Sequence, residues 1–425
     1  MQATNLLAQY KVPRAMPIDY APALKCRSQR FYCQPTTPAN EFWRLAVALH
    51  AVDNARLRVD ELEFSTHCQE FLQLGDKIAQ LYEFLTKKPL RLKVSRTNPP
   101  PGDRTISVTR SIESLVLFSG GLDSLATAIS TSNGRSLLFH ATTSNIVLSK
   151  VEALRESNRI LKGRPAYYAD CRFSSMGGGF SQTRGLLFLS AAVNAAGHLG
   201  VKEVVMGENG PLMINPEVSP SWSPTRNTHP RLITDIQSIT EDLGYDDLKI
   251  TAVNKDKTKA EVVLEVAERV GDSISRSYSC PRTRGTSAMC GLCFGCFVRR
   301  LSLDALNIGD SPTLYKQDAL AVGSSGLTEY ERSRIDGLKD ALSYYKRFVV
   351  GSNPPTDWSL DIPNGFFENA KGMLRRFSLD LFLGIRNCLQ RSGDGPSALK
   401  EYCRGALDEI DSEELARRQS ELSPK

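Results

Sequence analysis

Three short apolar runs, separated by segments with helical periodicity, constrain the fold of this chain more than any other feature. The runs lie at 115–118, 136–140 and 203–206. Continuous apolar runs of this length are typical of strands buried on both faces of a parallel sheet. The intervening helical patterns, at 149–160 and 184–198, supply the crossovers that parallel strands require. The sequence therefore predicts an α/β domain with a parallel sheet.

The first apolar run leads into a glycine-rich turn that is suited to bind phosphate. The turn consists of Ser119, Gly120, Gly121, Leu122, Asp123 and Ser124. Its glycines permit a tight turn, and a helix beginning near Leu122 would present free N–H groups and the positive end of its dipole. Ser119 and Ser124 add hydroxyl donors, so the turn can cradle a pyrophosphate-sized anion. Asp123 would repel that anion unless Mg²⁺ lies between them, which predicts a bridging magnesium ion.

The residues of this turn also permit a second interpretation. It has neither the Walker A spacing nor the Gly-x-Gly-x-x-Gly spacing of dinucleotide-binding loops. An ordinary strand-to-helix turn, with Asp123 as the helix N-cap, would have a similar sequence. The complete string in an α/β context favours the phosphate site.

A cluster of cysteines provides a second, independent signal. Four of the ten cysteines lie close together, at Cys280, Cys290, Cys293 and Cys296. Two Cys-x-x-Cys steps and one more distant thiol can complete a tetrahedral Zn²⁺ site, which would be structural because no coordination position stays open. An iron–sulfur cluster or free thiols are the alternatives, although a bacterial ferredoxin run would need a cysteine where Arg300 stands. We interpret Arg299 and Arg300 as part of a basic helix face.

Together, the turn and the cysteine box resemble the 7-cyano-7-deazaguanine synthase (QueC) family of N-type ATP pyrophosphatases. The turn is similar to the PP-loop, and Ser279 to Arg299 is similar to the family's zinc box. Between them, 257–263 resembles the family's Thr-Lys-x-Glu-Ile-Val segment, 181–184 its arginine-led helix start and 207–209 its Gly-x-Asn turn. These matches imply a PP-loop fold with a zinc appendage.

The chain departs from that family in length and in some internal segments. The resemblance covers 113–310, and the family core is roughly half as long as this chain. The stretches 208–216 and 226–230 are altered. The arrangement is more similar to the enlarged QueC-like proteins of bacterial anti-phage islands.

The resemblance implies a role for each site residue. The β- and γ-phosphates of ATP and their Mg²⁺ would be bound by Ser119, Gly120, Gly121, Leu122, Asp123 and Ser124. Glu208 and Asn209 would complete the ATP site. Asp123, Arg184 and Lys259 would be the catalytic residues, which neutralise charge at the phosphates. Lys257 and Lys259 both flank Thr258, and the resemblance selects Lys259.

The implied activity is that of a C–N bond-forming ligase. ATP would adenylate a 7-deazaguanine carboxylate, and a nitrogen nucleophile would then displace AMP. The product would be an amide, a nitrile or a conjugate with a partner protein, in a role in anti-phage defence. The alternatives are a housekeeping 7-cyano-7-deazaguanine synthase in queuosine biosynthesis, a tRNA thiolase of the same superfamily, and a non-catalytic nucleotide-binding module.

We expect three parts along the chain. A mixed α/β accessory domain and linker would occupy 1–110 and end near the proline-rich stretch 98–103. The PP-loop domain with its zinc box would occupy 111–325, and a helical region 326–425. Adenylation in the smaller family core needs neither flank, so the flanks suggest docking of a protein encoded nearby.

Apolar spacing predicts helices outside the central domain as well. They lie at 69–85, 330–348, 366–391 and 398–416. The segment 41–50 is compatible with either a helix or a strand.

Charge and hydropathy limit the partners. The chain has 53 basic and 47 acidic residues and a net charge of +6, which permits an anionic ligand but does not indicate direct nucleic-acid binding. No secretory signal and no run of roughly 20 apolar residues is visible, so we expect no membrane partner. Clustered thiols fit a reducing compartment, and we therefore expect a cytoplasmic protein.

Overall fold

A computed structural model describes most of the chain. The described residues are 24–26, 29–31, 37–54, 59–98, 112–131, 135–142, 167–172, 181–219, 225–271, 274, 277–280, 288–323, 327–351, 354–391 and 397–423. The predicted helix at 149–160 and residues 99–103 of the expected domain boundary lie outside them.

Strands and helices alternate through the first two thirds of the described chain, and helices follow. The strands are β1 (Leu24–Cys26), β2 (Gln29–Phe31), β3 (Glu61–Thr66), β4 (Arg91–Arg96), β5 (Ser114–Leu117), β6 (Ser136–Thr142), β7 (Tyr167–Arg172), β8 (Glu203–Met206) and β9 (Lys249–Ala252). The helices are α1 (Pro38–Asn54), α2 (Gly75–Thr86), α3 (Leu122–Thr131), α4 (Arg184–Leu199), α5 (Gly210–Ile214), α6 (Pro230–Asp242), α7 (Lys259–Val270), α8 (Phe294–Ala305), α9 (Glu329–Lys346), α10 (Ala370–Arg391), α11 (Ala398–Leu407) and α12 (Ser412–Glu421).

The centre of the molecule is a five-stranded parallel sheet. Its strand order is β7-β6-β5-β8-β9, and every neighbouring pair is parallel. The three predicted strands occupy the middle of the sheet, which confirms the predicted parallel α/β architecture. The edge strands β7 and β9 were not predicted. In β9 only Ala252 is buried, so the sequence of that strand carries a weak apolar signal.

Alternate residues of the central strands pack into two separate cores. Leu115 and Val204 belong to a core that also contains apolar residues of α1, α4 and α6. Val116 and Val205 face the opposite side and pack with residues of α3 and α7. Burial on both faces is the reason that the sequences of these strands are continuous apolar runs.

The N-terminal elements pack directly on this sheet domain. The ambiguous segment 41–50 lies within α1 and is therefore a helix, which packs against α4. Strands β3 and β4 form a separate parallel pair, and α2 connects them. Residues from β3, α2 and β5 all belong to one apolar core.

Helices dominate the C-terminal part and share a second core with the end of the central domain. Helix α10 packs on α8 and α12, and α9 packs on α11. The helices predicted at 330–348 and 366–391 are confirmed as α9 and α10. The prediction of one helix over 398–416 is wrong. Asp411 accepts a hydrogen bond from the Glu413 N–H at 2.9 Å and thereby caps a new helix, α12.

Candidate functional site

The predicted phosphate turn lies where the strand order of the sheet reverses. It follows β5, and residues 207–209 follow the neighbouring strand β8. Carboxyl ends of adjacent parallel strands meet at one edge, and in open α/β sheets this reversal point forms the usual ligand crevice. Helix α4 leads into the start of β8, so its N-terminus lies toward the same edge.

Serine hydroxyls occupy the backbone donors of the turn. Ser124 Oγ accepts from the Ser119 N–H at 3.2 Å, and Ser119 Oγ accepts from the Gly121 N–H at 3.3 Å. The Leu122 N–H donates to Ser279 Oγ at 3.3 Å. Gly120 has φ 77°, which glycine adopts without strain. Helix α3 begins at Leu122, as predicted. The three N–H groups are not free as expected, because serine oxygens already accept from them, and a bound phosphate would have to replace those oxygens.

Four predicted site residues come together beside this turn. Lys259 Nζ forms an ion pair with Asp123 Oδ2, although the two residues are far apart in the chain. Asn209 Nδ2 donates to Asp123 Oδ1 at 3.2 Å and to Glu208 Oε1 at 3.3 Å. The Lys259 side chain is 3% exposed and that of Asp123 is 16% exposed, so the pair is largely removed from water.

The electrostatics of this cluster fit a divalent cation. Burial and, to a lesser extent, the negative charge of Asp123 raise the pKa of Glu208 to about 7, although Lys259 opposes the shift. Two carboxylates thus share one lysine in a site with little water. Oxygen ligands of this kind suit Mg²⁺, whose charge would balance the second carboxylate.

Local capping positions Lys259. Thr258 is the N-cap of α7 and forms a capping box with Glu261, which places Lys259 at the first helical position. A lysine there opposes the helix dipole, and Asp123 offsets that cost. Lys257 instead forms an exposed ion pair with Glu265. The two lysines that flank Thr258 thus lie in different surroundings, Lys259 in the shielded cluster and Lys257 at the surface.

Arg184 begins α4 and is a cation without a counter-charge in the described part of the chain. No hydrogen bond or ion pair to its guanidinium is found among the described residues, and burial lowers its pKa. Asp53 of α1 accepts from the Thr183 N–H at 3.1 Å and from Ser181 Oγ at 2.6 Å, which fixes the start of α4. An anionic ligand at the start of α4 would supply a counter-charge that the described residues do not supply.

The four clustered cysteines converge as their spacing predicts. Their sulfur atoms all lie within 4.8 Å of one another, and all four thiols are free. Hydrogen bonds from the other three thiols hold the pKa of Cys280 well below its ordinary value, which favours a thiolate. Four sulfur ligands in this arrangement can bind a metal ion, and the donor set is consistent with zinc.

Backbone contacts hold the cysteine loop in shape. Gly291 has φ 79°, and a Cβ atom there would lie 1.7 Å from the Gln317 carbonyl oxygen. The Met289 N–H donates to Leu314 O at 2.7 Å, and the Lys316 N–H donates to Met289 O at 2.8 Å. The segment 314–317 therefore clamps the loop that carries the central cysteines.

The interpretation of Arg299 and Arg300 as a basic helix face is wrong. Arg299 is fully buried, and its Nε forms an ion pair with Asp310 Oδ2 at 2.7 Å. Arg300 forms an ion pair with Asp318 at 2.6 Å. The sequence analysis also missed Ser279 as a neighbour of the phosphate turn. Such contacts leave no periodic signal, because they join segments that are distant in the chain.

Comparisons with known proteins add no assignment. No protein-family model and no curated protein matches this chain. The resemblance to QueC-like enzymes therefore stays a prediction that rests on the residues themselves.

Among the described helices, none has the length and the apolar character that a membrane span requires.

Proposed function

We propose that this protein binds Mg·ATP at the turn after β5 and uses it to adenylate a carboxylate of the 7-deazaguanine type. One observation carries the proposal. Asp123, Glu208, Asn209 and Lys259, which the PP-loop resemblance selects, meet at the reversal point of a parallel sheet. A structural turn alone does not require a buried lysine and two carboxylates at this position.

Each group of residues would have a separate role in the proposed reaction. The turn and the N-terminus of α3 would hold the β- and γ-phosphates. Asp123 and Glu208 would hold Mg²⁺, while Lys259 and Arg184 would neutralise charge on the phosphates as it develops. The substrate carboxylate would attack the α-phosphate and break the α–β bond, which yields an acyl adenylate and pyrophosphate. A nitrogen nucleophile would then form an amide and release AMP.

The metal centre would have a structural role in this scheme. Four sulfur ligands complete a tetrahedral shell and leave no position for substrate. Residues Cys280, Cys290, Cys293 and Cys296 would therefore hold zinc that stabilises the fold.

The test is product analysis with defined nucleophiles. Full-length protein is incubated with Mg·ATP and 7-carboxy-7-deazaguanine, first with ammonia and then with the proteins encoded next to it. Pyrophosphate release that depends on the carboxylate supports adenylation, and mass spectrometry of small molecules and intact proteins identifies the acceptor. If no pyrophosphate is released under either condition, the adenylation proposal is wrong.

A further inference from the structure

The segment before the first metal ligand touches the phosphate turn directly. Tyr278 and Ser279 precede Cys280 in the chain. The Tyr278 N–H donates to Gly120 O at 3.0 Å, and Ser279 Oγ accepts from the Leu122 N–H at 3.3 Å. Residues next to a predicted metal ligand thus complete the hydrogen bonding of the turn.

Arg299 connects the same serine to the helix of the metal centre. It lies one helical turn after Cys296 on α8, and its Nη1 donates to Ser279 Oγ at 3.4 Å. Asp310 and the carbonyl oxygen of Ile274 hold the rest of the guanidinium, at 2.7 and 2.9 Å. Since Arg299 is fully buried and has these further partners, its position depends on the packing of α8.

Two described groups donate to the hydroxyl oxygen of Ser279. It accepts from the Leu122 N–H and from Arg299, which uses both of its lone pairs. The remaining hydrogen-bonding capacity of this hydroxyl is its proton, and among the described residues no acceptor takes it. An anion bound in the turn would lie close enough to Leu122 to accept from this hydroxyl.

We propose that Ser279 is a phosphate-binding residue and Arg299 its positioning residue, so that metal loading and polyphosphate binding are coupled. This inference rests on the proposed function, because it assumes that the turn binds ATP phosphates. The coupling is reciprocal. If the loaded metal centre strengthens ATP binding, bound ATP strengthens metal binding by the same factor.

The first experiment measures affinity without turnover. Isothermal titration calorimetry follows binding of α,β-methylene-ATP with Mg²⁺ to the zinc-loaded full chain. Ser279→Ala should weaken binding about tenfold, the effect of one lost hydrogen bond to a charged group. Ser65→Ala is the matched control. Ser65 lies on β3, where its exposed hydroxyl pairs with that of Ser95 at 3.2 Å, and it is remote from Arg299 and the turn, so this variant should keep the wild-type affinity.

The second experiment measures the reciprocal effect. Zinc affinity is determined by competition with a colorimetric chelator, with and without the Mg·analogue. The analogue should tighten zinc binding in the wild-type protein and in Ser65→Ala, but much less in Ser279→Ala. Zinc content measured beforehand shows whether each variant is fully loaded.

The outcomes separate this inference from the proposed function. If wild-type protein and Ser279→Ala bind the analogue equally, or if the analogue leaves zinc affinity unchanged, the inference is wrong and ATP binding still stands. If the wild-type protein does not bind the analogue, the proposed function fails and the inference fails with it.

Discussion

The ion pair between Asp123 and Lys259 differs in kind from its neighbours on the surface. Both partners are largely shielded from water, so loss of one charge leaves the other uncompensated. The nearby pair of Lys257 and Glu265 is exposed and screened, and contributes little. Each pair has one member on α7, Lys259 or Glu265, and together they provide a test and its control.

Asp123→Asn should abolish the activity while the protein still folds, although the uncompensated Lys259 lowers its stability. The amide retains the shape of the side chain and can still accept from Asn209, but it loses the charge that would hold Mg²⁺ in the proposed site. Pyrophosphate release should fall by at least about 100-fold, the scale of losing a key electrostatic contact. A cooperative thermal transition checks the fold, and Glu265→Gln should keep wild-type activity. Near-normal release by Asp123→Asn would contradict the assigned role.

His50 should make folding stability depend on pH. Burial lowers its pKa to about 4, Asp53 opposes this shift, and the charge of Arg184 adds to it. Because the unfolded chain binds a proton at about pH 6.5 and the folded chain does not, stability should fall as pH drops from 6.5 toward 4. The loss attributable to His50 is on the order of 2–3 kcal/mol. Denaturant melts at several pH values should show that His50→Gln loses less unfolding free energy over this pH range than the wild-type protein. If both proteins show the same pH dependence, this assignment to His50 is wrong.

At the scale of elements, the cysteine loop is a short segment whose shape depends on one glycine. Gly291 combines a left-handed backbone with close approach to the Gln317 carbonyl oxygen, so any side chain meets both strain and a clash. The loop therefore presents Cys290 and Cys293 correctly only while segment 314–317 lies against it.

Purified protein should contain about one zinc ion per chain, and Gly291→Ala should lower that content and the thermal midpoint. Gly405→Ala is the control, because a Cβ atom at Gly405 in α11 meets no atom within 4 Å and should be neutral or mildly stabilising. Metal analysis measures the zinc content, and thermal melts measure the midpoint. Iron with visible absorbance, or full zinc content in Gly291→Ala, would argue against the assignment. Cys293→Ser should cost stability before it affects chemistry.

At the scale of the whole molecule, the C-terminal helices hold the helix that presents Lys259. Thr258, the N-cap of α7, donates to Asp380 of α10. Arg418 of α12 donates to Asp380 at 2.7 Å and to Glu261 of α7 at 2.8 Å. A buried polar network thus ties the capping box of α7 to the end of the chain.

Arg418→Met should destabilise the protein by about 3 kcal/mol, because it leaves Asp380 buried without its cation. It should also lower pyrophosphate release, although Arg418 does not contact the turn. Arg417→Met is the matched control, since the Arg417 side chain is 68% exposed and should contribute little. Chemical denaturation and the pyrophosphate assay measure both effects. Equal stability of the two variants would show that the network is not needed.

Signals carried by neighbouring residues were sufficient to predict the centre of the fold from the sequence. The apolar runs of β5, β6 and β8 are long enough to mark strands buried on both faces. The turn from Ser119 to Ser124 and the spacing of the four cysteines are local as well, because each depends on a few consecutive residues. The turn into α3 and the thiol cluster could therefore be predicted before any tertiary contact was known.

Only the tertiary structure determined which distant groups meet. The pairing of Lys259 with Asp123, the burial of Arg299 and the contact of Ser279 with Leu122 join segments that lie far apart in the chain. A lone arginine or serine in a sequence carries no periodic signal, and its burial depends on what packs around it. The sequence of α1 was compatible with a helix or a strand for the same reason, because its packing partner α4 lies far away in the chain.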